Sequence, residues 1–99
     1  SPDIFSPDND GYQDVLTLNY TFNEPGYVGT MVVFDIAGRE AKKLMNNVLL
    51  GTTGALSWDG ILETGDKARI GPYVVYFEVF DLSGNVKKFR KTVTLAHRL

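Results

Sequence analysis

Three carboxylates stand close together near the N-terminus, in Asp8-Asn9-Asp10-Gly11-Tyr12-Gln13-Asp14. Carboxylates spaced around a glycine suit a hard cation such as calcium, which takes about six to eight oxygen ligands from a sharply turning chain. Aligned on an EF-hand-type loop with Gly11 at the sixth position, Asp8 falls on the third, Asp10 on the fifth and Asp14 on the ninth. The Tyr12 carbonyl then takes the seventh. Ser6 occupies the first position and Thr17 the twelfth, so the bidentate Glu is missing and the affinity is expected to be weak, of the order of millimolar. A second reading is an Asp/Asn-rich turn whose side chains cap backbone amides ahead of the first full strand. Asp8, Asp10 and Asp14 are therefore the candidate calcium ligands, and no other cofactor is expected.

Other chemistry is sparse. His97 is the single histidine, close to the end of the sequence, where a Ser-His-Asp arrangement would have to hold its base on a terminal segment. Cysteine is absent, which removes disulfides, thiol nucleophiles and thiolate metal sites. Glu63 and Asp66 form a carboxylate pair of the sort a glycosidase uses, yet their polar, glycine-bearing surroundings read as a solvated loop. Asp35 and Asp81 read as turn residues that close hairpins. Trp58 and the tyrosines suit core packing, with a carbohydrate-binding face as the alternative. With no nucleophile–base pair supported by a third group, no catalytic residues are expected and the chain reads as a non-enzyme.

Ten basic and twelve acidic residues leave a net charge of −2, which argues against a nucleic-acid partner needing a basic face. Lys87, Lys88, Arg90 and Lys91 form a mild basic cluster on one predicted strand, read as a solvated face. No apolar run approaches the roughly 20 residues that span a bilayer. At 99 residues the chain supports one core and not two. From its start at Ser-Pro-Asp the chain is expected to be a piece of a longer protein, with any targeting signal upstream.

The elements that must position these residues are strands. Leu16, Leu18, Tyr20 and Phe22 alternate with Thr17, Asn19, Thr21 and Asn23, a half-buried strand. Glu24-Pro25-Gly26 ends it. Tyr27 to Ile36 reads as a strand with Val28, Val32, Phe34 and Ile36 on one face and Met31 and Val33 on a partly covered second face. The helix formers of 39–47 are too few for a stable isolated helix, so this stretch is read as a strand. Ala55 to Trp58 is a short strand, residues 70–82 a central one apolar on both faces, and Val86 to Leu95 the last. Val33-Phe34-Asp35-Ile36-Ala37-Gly38 matches Val79-Phe80-Asp81-Leu82-Ser83-Gly84, predicting twin hairpins with Gly38 and Gly84 at positive φ. The expected fold is an all-β, immunoglobulin-like sandwich of about seven antiparallel strands in two sheets. Residues 1–14 are expected to form an Asp-rich loop leading into a sandwich over 15–99. Phe22, Val32, Phe34, Leu44, Trp58, Val75, Phe77, Phe89 and Val93 are expected in the core.

Three segments carry a resemblance. Phe5-Ser6-Pro7-Asp8-Asn9-Asp10-Gly11-Tyr12-Gln13-Asp14 resembles the opening of C-terminal domains in Bacteroidetes-type gliding-motility and type IX secreted proteins. Phe34-Asp35-Ile36-Ala37-Gly38-Arg39-Glu40, and Trp58-Asp59-Gly60 followed by Gly65 and Ile70-Gly71-Pro72-Tyr73, are similar to the Ig-like domain named from the flagellar hook-capping protein, here of the type that ends bacterial lamin-tail-domain-containing surface proteins. Pro72 departs from the pattern, which has an aliphatic residue there, and is expected at the start or edge of its strand. The resemblance implies a non-catalytic C-terminal module of a secreted or cell-surface bacterial protein, used as a spacer, anchor or export-linked unit. The partners implied are the other domains of the parent chain and the cell envelope or export machinery, with the module monomeric alone. A carbohydrate-binding module and a hook-cap-like subunit-assembly domain are the alternatives.

Overall fold

The computed structural model describes residues 4–8 and 16–95. Within them lie seven strands: β1 (Ile4–Asp8), β2 (Leu16–Thr21), β3 (Val28–Asp35), β4 (Glu40–Leu49), β5 (Thr53–Trp58), β6 (Gly71–Phe80) and β7 (Val86–Leu95). One sheet has the order β1-β2-β5, the other β4-β3-β6-β7, and every pairing is antiparallel. The sequence-based expectation of a two-sheet, all-β sandwich holds, and the strand expected over 39–47 is β4, which runs Glu40–Leu49. Residues 4–8, however, are a strand on the sheet edge rather than part of a leading loop. Pro7 disguises it. Pro7 pairs with Leu18, at a position where β1 turns its backbone away from β2, so its missing N–H interrupts no ladder bond.

Alternation sets the core. Leu16, Leu18 and Tyr20 of β2 point inward while Thr17, Asn19 and Thr21 stay half-exposed. Opposite them stand Tyr73, Val75, Phe77 and Val79 of β6, with Met31 and Val33 of β3. The faces of β3 are thus the reverse of the simple apolar count. Met31 and Val33 are fully buried, whereas on the outer face Val32 is buried as expected, Val28 and Phe34 are half-buried, and Ile36 is 73% exposed beyond the strand end. The missed signal is Gly29. A Cβ there would meet Leu50 Cδ1 at 2.8 Å and Phe77 Cε1 at 3.0 Å, so the inner face is too crowded for a side chain and the glycine marks it. Leu44 and Phe89 are also only half-buried against the core, because β4 and β7 are edge strands.

Pro72 is the second residue of β6, which is central in its sheet. Its β3 neighbour has already ended, since the last β3 pairing is Asp35 with Tyr73. Pro72 therefore pairs only with Thr94 of β7, at a position where its backbone turns toward the side β3 has left, so the missing N–H interrupts no ladder bond.

The twin hairpins are built alike. Gly38 (φ 85°) donates to the Asp35 carbonyl at 3.0 Å, and Gly84 (φ 89°) to the Asp81 carbonyl at 3.1 Å. Asp35 and Asp81 close them by accepting the amides two and four residues on, each at 2.9 Å. A side chain at Gly38 or Gly84 meets open space, so only the left-handed backbone resists substitution. Gly38→Ala and Gly84→Ala are each expected to cost about 1–2 kcal/mol, read as a shift of the urea midpoint. An unchanged midpoint for both would show that these turns relax freely.

Candidate functional site

The residues of the Phe-Asp-x-x-Gly-Arg, Trp-Asp-Gly and Gly-x-Tyr segments converge on one end of the sandwich, around the connection from β5 to β6. Trp58 closes β5 with its indole buried, and the indole N–H donates to the Ile61 carbonyl at 3.0 Å. The Asp59 carboxylate accepts the Ile61 amide at 3.0 Å, and Gly60 turns the chain at φ 78°. From there the connection folds into a small hairpin of its own. Ile61 pairs with Lys67, Leu62 donates to the Asp66 carbonyl, and Ala68 donates to Gly60 at 2.7 Å. Tyr73, at the start of β6, packs edge-on against Trp58 with centroids 5.1 Å apart. Its hydroxyl donates to the Arg69 carbonyl at 2.7 Å, a return to the backbone four residues upstream of the kind found at the corner of immunoglobulin sandwiches.

Glu63 has a role its solvated surroundings hid. Its amide donates to the Ala41 carbonyl and its carboxylate accepts the Lys43 amide, both at 2.9 Å. The loop thereby occupies part of the open edge of β4, where a further strand would otherwise bind. Lys42 lies 3.9 Å from the same carboxylate. Nothing in the loop sequence distinguishes this glutamate, because the bond partners are 20 or more residues away in β4 and become neighbours only through the fold.

Between this loop and the β3–β4 hairpin lies a cleft of about 580 Å³, a size that holds small ligands in other proteins. Ile36, Leu62 and Ile70 supply apolar walls, and Arg39, Lys67 and Arg69 supply cations. Arg39 is neutralised by Asp35, with Nε 2.9 Å from the carboxylate. The Arg39 backbone amide holds the Asp35 carboxyl below the ordinary aspartate range, with the guanidinium adding to the effect. Asp81 is lowered similarly, chiefly by the Asn85 side-chain amide. A depressed folded-state value means each carboxylate adds stability above about pH 4, the ordinary aspartate value. That contribution is lost as pH falls through the lowered value. Asp35→Asn combined with Asp81→Asn is expected to flatten the loss of stability on acidification, measured by urea titrations across the acid range. An unaltered pH profile would sink this assignment.

Among the described residues the cleft brings no nucleophile to a base. Of the sequence-derived ligands, Asp8 has its backbone in β1 but its side chain lies outside the described residues, as do Asp10, Asp14 and His97. Among the described residues no group of three or more His, Cys, Asp or Glu is placed to hold a metal ion. Asp66 closes its own loop through Thr64, and its neighbour Glu63 is engaged on β4, so the two are not a facing acid–base pair. Trp58, Tyr20 and Tyr73 are core residues and offer no exposed row to a sugar. The basic cluster of β7 does not form one patch either. Lys88 lies 3.8 Å from Glu78 on the outer face, while Lys87 sits over the Tyr27 ring, 5.3 Å from its centroid.

No family model matches the chain, and no curated protein matches it. Among solved structures it is similar to CopC from Methylosinus trichosporium OB3b, with a TM-score of 0.55 over 94% of this chain and 92% of that one. The fold is a β-sandwich of the CopC kind. At 14% identity the likeness speaks to architecture alone.

Proposed function

We propose that this chain is a non-catalytic module of an exported bacterial surface protein, an Ig-like unit that spaces, anchors or accompanies the export of the domains attached to it. The observation that carries the reading is the employment of the motif residues. Asp35, Arg39, Trp58, Asp59, Gly60 and Tyr73 each close a turn, fill the core or tie down the β5–β6 loop. Residues that carry a family resemblance and serve only the scaffold suit a domain whose task is to be a stable body. The partners proposed are the other domains of the parent chain and the cell envelope or export machinery. In dilute solution the module alone is a monomer.

The test is made on cells producing the parent protein. An antibody against this domain is expected to label intact cells or the culture medium, and external protease is expected to remove the cell-bound signal. Retention of the whole signal inside unbroken, protease-treated cells would overturn the export reading. Hydrolytic turnover by the purified chain that persists through successive columns and disappears on His97→Ala would overturn the non-catalytic one.

A further inference from the structure

Exposed aliphatic side chains and cations without partners come together in the cleft between the β3–β4 hairpin and the β5–β6 loop. Ile36 is 73% and Ile70 58% exposed, and both line it, with half-buried Leu62 beside them. Scattered singly, exposed aliphatics carry no message. Here they come from two loops that only the fold unites, and they line a concavity of about 580 Å³, the setting in which an apolar body binds.

The charges of the same cleft do not cancel. Asp35 holds Arg39 through Nε at 2.9 Å, so that pair is neutral. Lys67 and Arg69 have no ion-pair partner among the described residues. Asp66, next to Lys67 in sequence, is bonded to Thr64 instead. Ala68 is buried and its amide is bonded to the Gly60 carbonyl, which leaves the side chains on either side of it to the cleft that both line. Among the described residues Glu40 is the cleft's remaining acid. The balance is a surplus of one positive charge.

The walls are set before any ligand arrives. Asp35 accepts the amides of Ala37 and Arg39 and so fixes the hairpin. The Glu63 amide and carboxylate fasten the loop to β4, and the Tyr73 hydroxyl holds the Arg69 carbonyl. A site already in its bound shape loses little freedom on binding.

We propose that this cleft binds a small amphipathic monocarboxylate, its carboxylate on Lys67 and Arg69 and its aliphatic chain against Ile36 and Ile70. The planar guanidinium matches a carboxylate in shape and donor spacing. One surplus positive charge selects a monoanion. A phosphate monoester, at about −1.5 to −2 near neutral pH, overcharges the site and is repelled more strongly by Glu40. A sugar needs an exposed aromatic face, and the cleft's one ring, Tyr73, is buried. The cations are solvated, so each adds little and the affinity is about millimolar. This proposal is independent of the export reading.

Titration of the whole chain with hexanoate, followed through its amide NMR spectrum, tests it. Hexanoate is expected to give saturable shifts at the amides of Arg39, Leu62, Lys67 and Ile70, with half-saturation at about 1–10 mM. Acetate and hexanol each carry one half of the chemistry and are expected to bind more weakly, as is hexyl phosphate. Lys67→Gln combined with Arg69→Gln is expected to weaken hexanoate about fivefold or more with the thermal melt unchanged, because neither side chain has a partner to lose. Ile70→Ser is expected to weaken it too. Lys88→Gln, on the outer face of β7, is expected to leave binding as it was. No saturation below about 50 mM, equal binding of hexanol, tighter binding of hexyl phosphate, or hexanoate shifts that survive the double substitution each overturn the proposal. So does an acidic, leucine-bearing peptide that moves the same amides at about a hundredfold lower concentration, which would make a polypeptide segment the occupant.

Discussion

Trp58→Ala is expected to lower the unfolding free energy by about 3–5 kcal/mol, from the lost transfer energy of the indole and the cavity it leaves. Trp58 is 1% exposed and stands where β5 hands over to the β5–β6 loop. Its removal strips Tyr73 of the edge-on ring at 5.1 Å and leaves the Ile61 carbonyl without the donor at 3.0 Å. The loop therefore loses its anchor as well as the core losing volume. Trp58→Phe separates these effects. Most of the ring volume stays while the N–H goes, and the expected cost is about 1–3 kcal/mol for an acceptor left unpaired. Urea titrations of both variants give the two numbers. A loss under about 1 kcal/mol for Trp58→Ala would remove the indole from the core. Equal stability of Trp58→Phe and the parent would show that the Ile61 bond contributes nothing. Amide exchange locates the second effect, because Leu62 and Ala68, which donate within the loop, are expected to lose protection before the β6 amides do.

The strands with one wet face were legible because their alternation is a direct imprint of burial. β2 shows it most clearly, its inner residues buried and its outer ones half-exposed. The twin hairpins were legible for another reason. A glycine three places after the Asp of Asp-x-x-Gly leaves few backbone solutions, and Gly38 and Gly84 adopt the one expected. β3 was not legible from apolar residues, since both of its faces carry them and the inner face is marked by an absence of side chain at Gly29. Gly54 repeats the lesson in β5. It pairs with Tyr20, whose ring lies over it where a Cβ would be, so an apparently weak strand residue is the floor of an aromatic site. Glu63 escaped because its partners Ala41 and Lys43 are remote in sequence. β1 was missed because proline argues against a strand everywhere except at an edge.

Phe77→Ala is expected to be as damaging, about 3–5 kcal/mol, and its coupling to Gly29 tests how the core is filled. Phe77 is fully buried in the central strand β6. Its ring lies 5.1 Å from Phe5, 5.6 Å from Tyr20, 6.1 Å from Phe22 and 6.0 Å from Phe89, so rings from both sheets meet on it. Tilted pairs at these distances add to the area they bury. On its other side the ring edge would be 3.0 Å from a Cβ at Gly29, so the aromatic side chain fits because β3 has none there. Gly29→Ala in the parent chain should then overpack the core at a cost of about 1–3 kcal/mol. Phe77→Leu shortens the side chain and opens room at that contact, so Gly29→Ala in the Phe77→Leu background should cost less. The difference is the coupling between the two sites, expected at about 0.5 kcal/mol or more because the residues touch. Denaturant titrations of the parent, both single variants and the double variant measure it. Strict additivity would mean that Leu50, whose Cδ1 would lie 2.8 Å from the same Cβ, sets the limit at Gly29 and that the Phe77 ring does not.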